Sequence, residues 1–179
     1  MKENIAAVGK SRIYAKISEG CKALEGITGI DISEWKMISN GTIYFEEVFF
    51  EKGGSGQIEE VIVREKKGTG NLQKANMLLM FFSFSDITTL CGMNFAFNTN
   101  TTYSELIGAI EITSSDYREI YSNGSVHSAI AFKIPSVPIP IKASEDYQKI
   151  FCIPVAFGLG TYNYTEGTIL DIELIINQD

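Results

Sequence analysis

The sequence predicts a mainly β protein, an antiparallel β-sandwich of jelly-roll type, and three observations carry that reading. Short segments rich in Val, Ile, Thr, Tyr and Phe recur between Gly-, Asn- and Ser-containing turns. Some alternate apolar and polar residues with a period of two, most clearly TILDIELIIN at 168–177. Eleven Phe and eight Tyr, within 45% hydrophobic residues, supply the apolar area that two facing sheets need. A chain of 179 residues suits one core, which at this length buries roughly 70% of the unfolded surface. The expected organisation is an amino-terminal arm over 1–30 and a single sandwich domain over 31–179.

Within the arm, residues 13–24 fit two templates. Ile13, Ile17, Cys21 and Leu24 follow helical spacing, whereas Ile13, Ala15 and Ile17 alternate with polar neighbours as in a strand. Gly20, Gly26 and Gly29 limit any helix to a short one. Further on, TIYFEEVFFE (42–51) and IEEVIVRE (58–65) are β-rich and joined by KGGSGQ, which predicts a hairpin with a flexible tip. ANMLLMFFSF is a continuous apolar run suited to a strand covered on both faces. It is too short for a bilayer, which needs about 20 apolar residues.

Strands follow at ELIGAIEIT, HSAIAFKI after a Ser122-Asn123-Gly124 turn, QKIFCIPVAFG and TILDIELIIN. In KIFCIPVAF both alternating sets are apolar, so both faces should be covered, with Pro154 at an edge or a bulge. The last strand should have one wet face, bearing Asp171 and Glu173. Three prolines in IPSVPIPI (134–141) allow an extended or edge segment but neither a helix nor a central strand.

The search for chemistry returns structural readings. Glu46-Glu47 and Glu59-Glu60 are consecutive strand residues and point to opposite faces, so neither makes an acid/base pair. His127 has no sequence link to Cys91 or Cys152 that would suggest a nucleophile and its base. Cys21, Cys91 and Cys152 show no CxxC spacing, and with one His they point to neither a metal site nor a disulfide framework. GLGTYN at 158–163 has two glycines of a dinucleotide fingerprint but no helix to follow it. The expectation is a protein without catalytic residues, cofactor or metal, hence not an enzyme.

Charge narrows the partners. At a net charge of −7 a broad phosphate-binding surface is not expected, since nucleic-acid affinity rests on Lys and Arg. Residues 1–24 carry Lys2, Lys10, Arg12, Lys16 and Lys22 against Glu3 and Glu19, a net of +3 that leaves −10 for the remainder. The arm therefore complements the body electrostatically. Neither a signal peptide nor a membrane span is evident, so synthesis in a cytoplasm is expected.

The second half, from about residue 75 to the ending IPVAFGLGTYNYTEGTILDIELIIN, resembles the β-sandwich or jelly-roll structural proteins of tailed-bacteriophage virions, crassvirus-like head or tail components among them. The resemblance rests on strand pattern and carries over no site residue. It implies a virion protein whose partners are copies of itself and neighbouring virion proteins. Candidate interface residues are Lys10, Arg12 and Lys16 in the basic arm, Phe81, Phe82 and Phe84 in the uncharged middle, and the Tyr162/Tyr164 pair. A carbohydrate-binding module is the alternative, with Trp35, Tyr162 and Tyr164 as its aromatic platform.

Overall fold

The computed structural model describes residues 10–16, 30–32, 34–39, 41–46, 48–49, 51–83, 92, 94–95, 106–122, 124–165 and 167–178, with the side chains of 10–16, 30, 31 and 122 outside that description. Among the described residues there are twelve strands: β1 (Lys10–Lys16), β2 (Ile30–Ile32), β3 (Ile43–Phe45), β4 (Ser55–Lys66), β5 (Met77–Phe82), β6 (Leu106–Ile112), β7 (Tyr117–Ser122), β8 (Ser125–Lys133), β9 (Ile139–Lys142), β10 (Ile150–Ala156), β11 (Tyr162–Tyr164) and β12 (Ile169–Gln178).

Five antiparallel pairs are nested: β1 with β12, β2 with β11, β3 with β10, β4 with β9, and β5 with β6. The chain is thus one long hairpin, closed between β5 and β6. Rolling it up brings β12 beside β4 and β10 beside β5. The products are one sheet ordered β1-β12-β4-β8-β7, with β9 also on β4, and a second ordered β3-β10-β5-β6. A third pair, β11-β2, stands apart. The two larger sheets face each other as an antiparallel β-sandwich wound in the jelly-roll manner.

Alternation fills the core. Val61 and Val63 of β4, and Leu170, Ile172, Leu174 and Ile176 of β12, meet Met77, Leu79 and Phe81 of β5 and Ile150 and Cys152 of β10 in one buried cluster. The second sheet also has a covered outer face. There Met80 and Phe82 of β5 and Phe151, Ile153 and Val155 of β10 pack with Met37 and Phe95. Covering both faces is why β5 and β10 read as unbroken apolar runs.

Three expectations change and one open alternative is resolved. Segments 42–51 and 58–65 do not form a hairpin. β3 pairs with β10 and β4 with β12, β8 and β9, so the turn at 51–54 carries the chain from one sheet to the other. The hairpin signal was local, whereas consecutive strands on one arm of a rolled hairpin find partners far along the chain.

Pro154 lies neither at a bulge nor on a free edge. Its register with β5 is continuous from Phe151↔Phe82 to Ala156↔Met77. Its carbonyl accepts Ile38 N–H at 3.0 Å, so its ring nitrogen also faces the 36–38 segment, where β3 has ended, and the β5 ladder loses no donor.

The outer side of β12 is not wet at Glu173, which is fully buried and ion-paired with Arg64 of β4. Finally, residues 10–16 of the arm are a strand of the larger sheet, so 13–16 follow the strand template; 17–24 lie outside the described residues.

Candidate interaction surfaces

The basic arm residues Lys10, Arg12 and Lys16 stand on β1 opposite Asn177, Ile175 and Asp171 of β12. The backbone register thus sets these arm positions beside a strand that carries Asp171 and Glu173.

The uncharged middle is placed inside the chain. Phe81 is wholly buried between the sheets, and Phe82, 5% exposed, belongs to the outer apolar layer. Their surface is used for packing within the chain, which replaces the reading of these two residues as interface. Phe84 lies outside the described residues.

Tyr162 and Tyr164 share one face of β11, as alternation requires, but that face is buried. Tyr162 Oη accepts the N–H of Asn76 at 3.0 Å, which ties β11 to the start of β5. A Cβ on Gly160 would come within 2.3 Å of that hydroxyl, so glycine is required there. The two tyrosines are structural and offer no platform to a sugar. Trp35 differs: it is 46% exposed, and its backbone is left-handed, with φ 62°. Bonds from its N–H to Ala156 O (2.9 Å) and from Phe95 N–H to its carbonyl (2.7 Å) hold it there.

The groups suited to chemistry are committed to the fold. His127 is an exposed residue of β8, and its backbone carbonyl accepts Lys67 N–H at 3.0 Å. Cys152 is fully buried, which pushes its thiol well above the ordinary range. Glu65 is fully buried at one end of β4; burial raises its carboxyl above the usual range, against the N–H groups of Gln73 and Lys74, which donate to it at 2.6 and 2.7 Å. Tyr117, buried beside it, is likewise pushed up, first by burial and then by the Glu65 charge. At Glu59-Glu60 the β12 register passes from Ile175↔Glu60 to Ile176↔Ile58, which makes Glu59 the extra residue of a bulge. With Ile58 and Val61 both in the core, Glu59 and Glu60 lie on the same outer side and are not split across the sheet as strict alternation predicts.

Two surface features had no sequence signal. The Lys149 ammonium lies 4.8, 5.0 and 5.5 Å from the ring centroids of Tyr44, Tyr147 and Phe151. Strand register explains the arrangement, since Tyr44 of β3 stands opposite Phe151 of β10. Such a contact contributes about 0.5–1 kcal/mol at an exposed site.

The second feature is the β7–β8 hairpin and its exit. Of nine exposed large hydrophobic side chains among the described residues, five fall between 120 and 137: Ile120, Tyr121, Phe132, Ile134 and Val137. Ile120 stands opposite Ser128, and Phe132 opposite the almost buried Ile62, which places Ile120 and Phe132 on the outer face of the larger sheet. The pairs Lys74–Glu119 (2.6 Å) and Lys133–Asp116 (3.0 Å), and the bond that Tyr121 Oη donates to Glu119 at 2.9 Å, lie towards the other side of the sheet, since Glu119 and Tyr121 alternate with Ile120 and Lys133 stands opposite the core residue Val61. Exposed apolar side chains gathered in one hairpin and its exit are suited to contact with another protein.

Comparison with protein-family models finds no match, and comparison with curated proteins finds no relative. Among the described residues no helix is long and apolar enough to cross a membrane.

Proposed function

We propose that this chain is a non-enzymatic structural protein that assembles with copies of itself and with neighbouring proteins, as a capsid, connector or tail component of a phage virion. The observation that carries the reading is the concentration at 120–137 of five of the nine exposed large hydrophobic side chains found among the described residues. The buried Glu65 supports it, since both its oxygens are taken by backbone N–H groups of the fold. The resemblance in strand pattern supplies the virion context, while the jelly-roll winding by itself is compatible with many functions.

Assembly is tested by light scattering of the purified chain across a concentration series. Growth in mass with concentration is expected, and Phe132→Ser with Val137→Ser should suppress it while the circular dichroism stays β. A monomer at every concentration, with no partner retained in a pull-down from infected cells, would overturn the proposal.

Carbohydrate binding keeps one specific support, the half-exposed Trp35 held in a left-handed backbone. On a glycan array that reading requires a signal that Trp35→Ala abolishes.

A further inference from the structure

We propose that β7 is a self-pairing edge, through which two copies of the chain join their larger sheets across a two-fold axis at Ile120. This rests on the assembly reading and names the partner, a second copy. β7 ends the strand order of its sheet, and among the described residues β8 is its sole strand partner. Natural edges are blunted by bulges, prolines, charged side chains or very short strands, and the two charges of β7, Arg118 and Glu119, occupy only its first half. Here the irregularity falls on β8: the register passes from Ile120↔Ser128 to Tyr121↔Val126, leaving His127 as the extra residue and β7 uninterrupted. Its far half presents Ile120, 43% exposed, and Tyr121, 65% exposed.

Symmetry restricts the register. A two-fold axis perpendicular to the sheet pairs β7 antiparallel to itself and keeps like faces together, so one residue must face its own copy. Centring on Arg118 or Glu119 would set like charges opposite each other, which is destabilising. Centring on Tyr121 leaves little of the strand paired, because β7 ends at Ser122. Centring on Ile120 pairs residues 118–122, with apolar Ile120 on the axis and Glu119 facing Tyr121 of the second copy.

Those last two side chains are already complementary, because Tyr121 Oη donates to Glu119 within one chain. Each Tyr121 hydroxyl has one proton to donate, so on pairing it exchanges the Glu119 of its own chain for that of the second copy. Five residues of pairing lie at the small end of specific interfaces, so the dimer is a reversible one.

The test places a cysteine on the axis. In a Cys21→Ser/Cys91→Ser background, Ile120→Cys should form a disulfide-linked dimer under mild oxidation, since facing strand residues have Cα atoms about 4.5–5.5 Å apart. Glu145→Cys, exposed on the 143–149 connection, should remain uncrosslinked. Ile120→Lys should weaken self-association at least tenfold by light scattering, with the thermal midpoint unchanged. If the protein assembles but Ile120→Cys stays monomeric on a non-reducing gel and Ile120→Lys has no effect, the β7 proposal falls and assembly stands. If every version is monomeric the β7 proposal falls, and if the pull-down also retains no partner the assembly reading falls with it.

Discussion

β5 and β7 are both six-residue strands, and they use their side chains in opposite ways. β5, MLLMFF, lies between β10 and β6 and is covered on both faces, so its apolar surface is spent within the chain. β7, YREIYS, carries adjacent opposite charges and would pass for a loop, yet it forms a sheet edge with Ile120 and Tyr121 in solvent. Apolar content locates the core. Surface for a partner is found where an apolar residue is left over after the core is closed, and only the topology reveals that.

The largest effect should come from the sealed strand. Phe81→Ala empties a site that is wholly buried between the sheets and should cost about 3–5 kcal/mol. Urea denaturation should show a lower midpoint with an unchanged slope. A loss below 1 kcal/mol would mean that β5 is not packed as described. The Ile120 substitutions, by contrast, should alter association and leave folding alone.

An intermediate effect is expected on the outer face of the larger sheet. Arg64→Ala would leave Glu173 buried without its ion-pair partner. Losing one partner of a fully buried pair costs roughly 3–5 kcal/mol, and because Arg64 is itself 37% exposed the expected loss is about 2 kcal/mol. Arg64→Ala combined with Glu173→Leu should recover much of it, which thermal denaturation of both variants would read.

The smallest effect is a slope. Burial raises the Glu65 carboxyl in the folded chain, so its contribution to stability is fully present below its unfolded value near 4.5 and is lost as pH rises through the folded value. Glu65→Gln should remove that decline, so wild-type and variant stabilities, measured by denaturant titration from pH 4 upward, should differ by an amount that changes with pH. A constant difference would place Glu65 in solvent.

Much of the fold was legible. The two-faced β10, the short strand at Ile139–Lys142 that ends the proline-rich segment and the single apolar face of β12 all follow from alternation and proline chemistry, while residues 136–137 bend where an extended segment was expected. What the sequence does not carry differs by strand: β3 pairs with the distant β10 and not with its neighbour β4, whereas β7 pairs with the next strand, β8, and is hidden because Arg118 and Glu119 break its apolar alternation. The tyrosines show the limit at the level of a site. The period placed Tyr162 and Tyr164 on one face, but which face is buried depends on β2 and on the segment leading into β5, where Asn76 N–H bonds to Tyr162.

The nested strand order also sets a schedule on the ribosome. β1 pairs with β12, and their first residues, Lys10 and Ile169, are separated by nearly the whole chain. At roughly 5–20 residues per second, β1 waits on the order of 8–30 s for its partner to be made. During that interval β4 also lacks β12, so the growing chain carries two unsatisfied strand edges at once. A chaperone or a neighbouring nascent copy has that long to reach them.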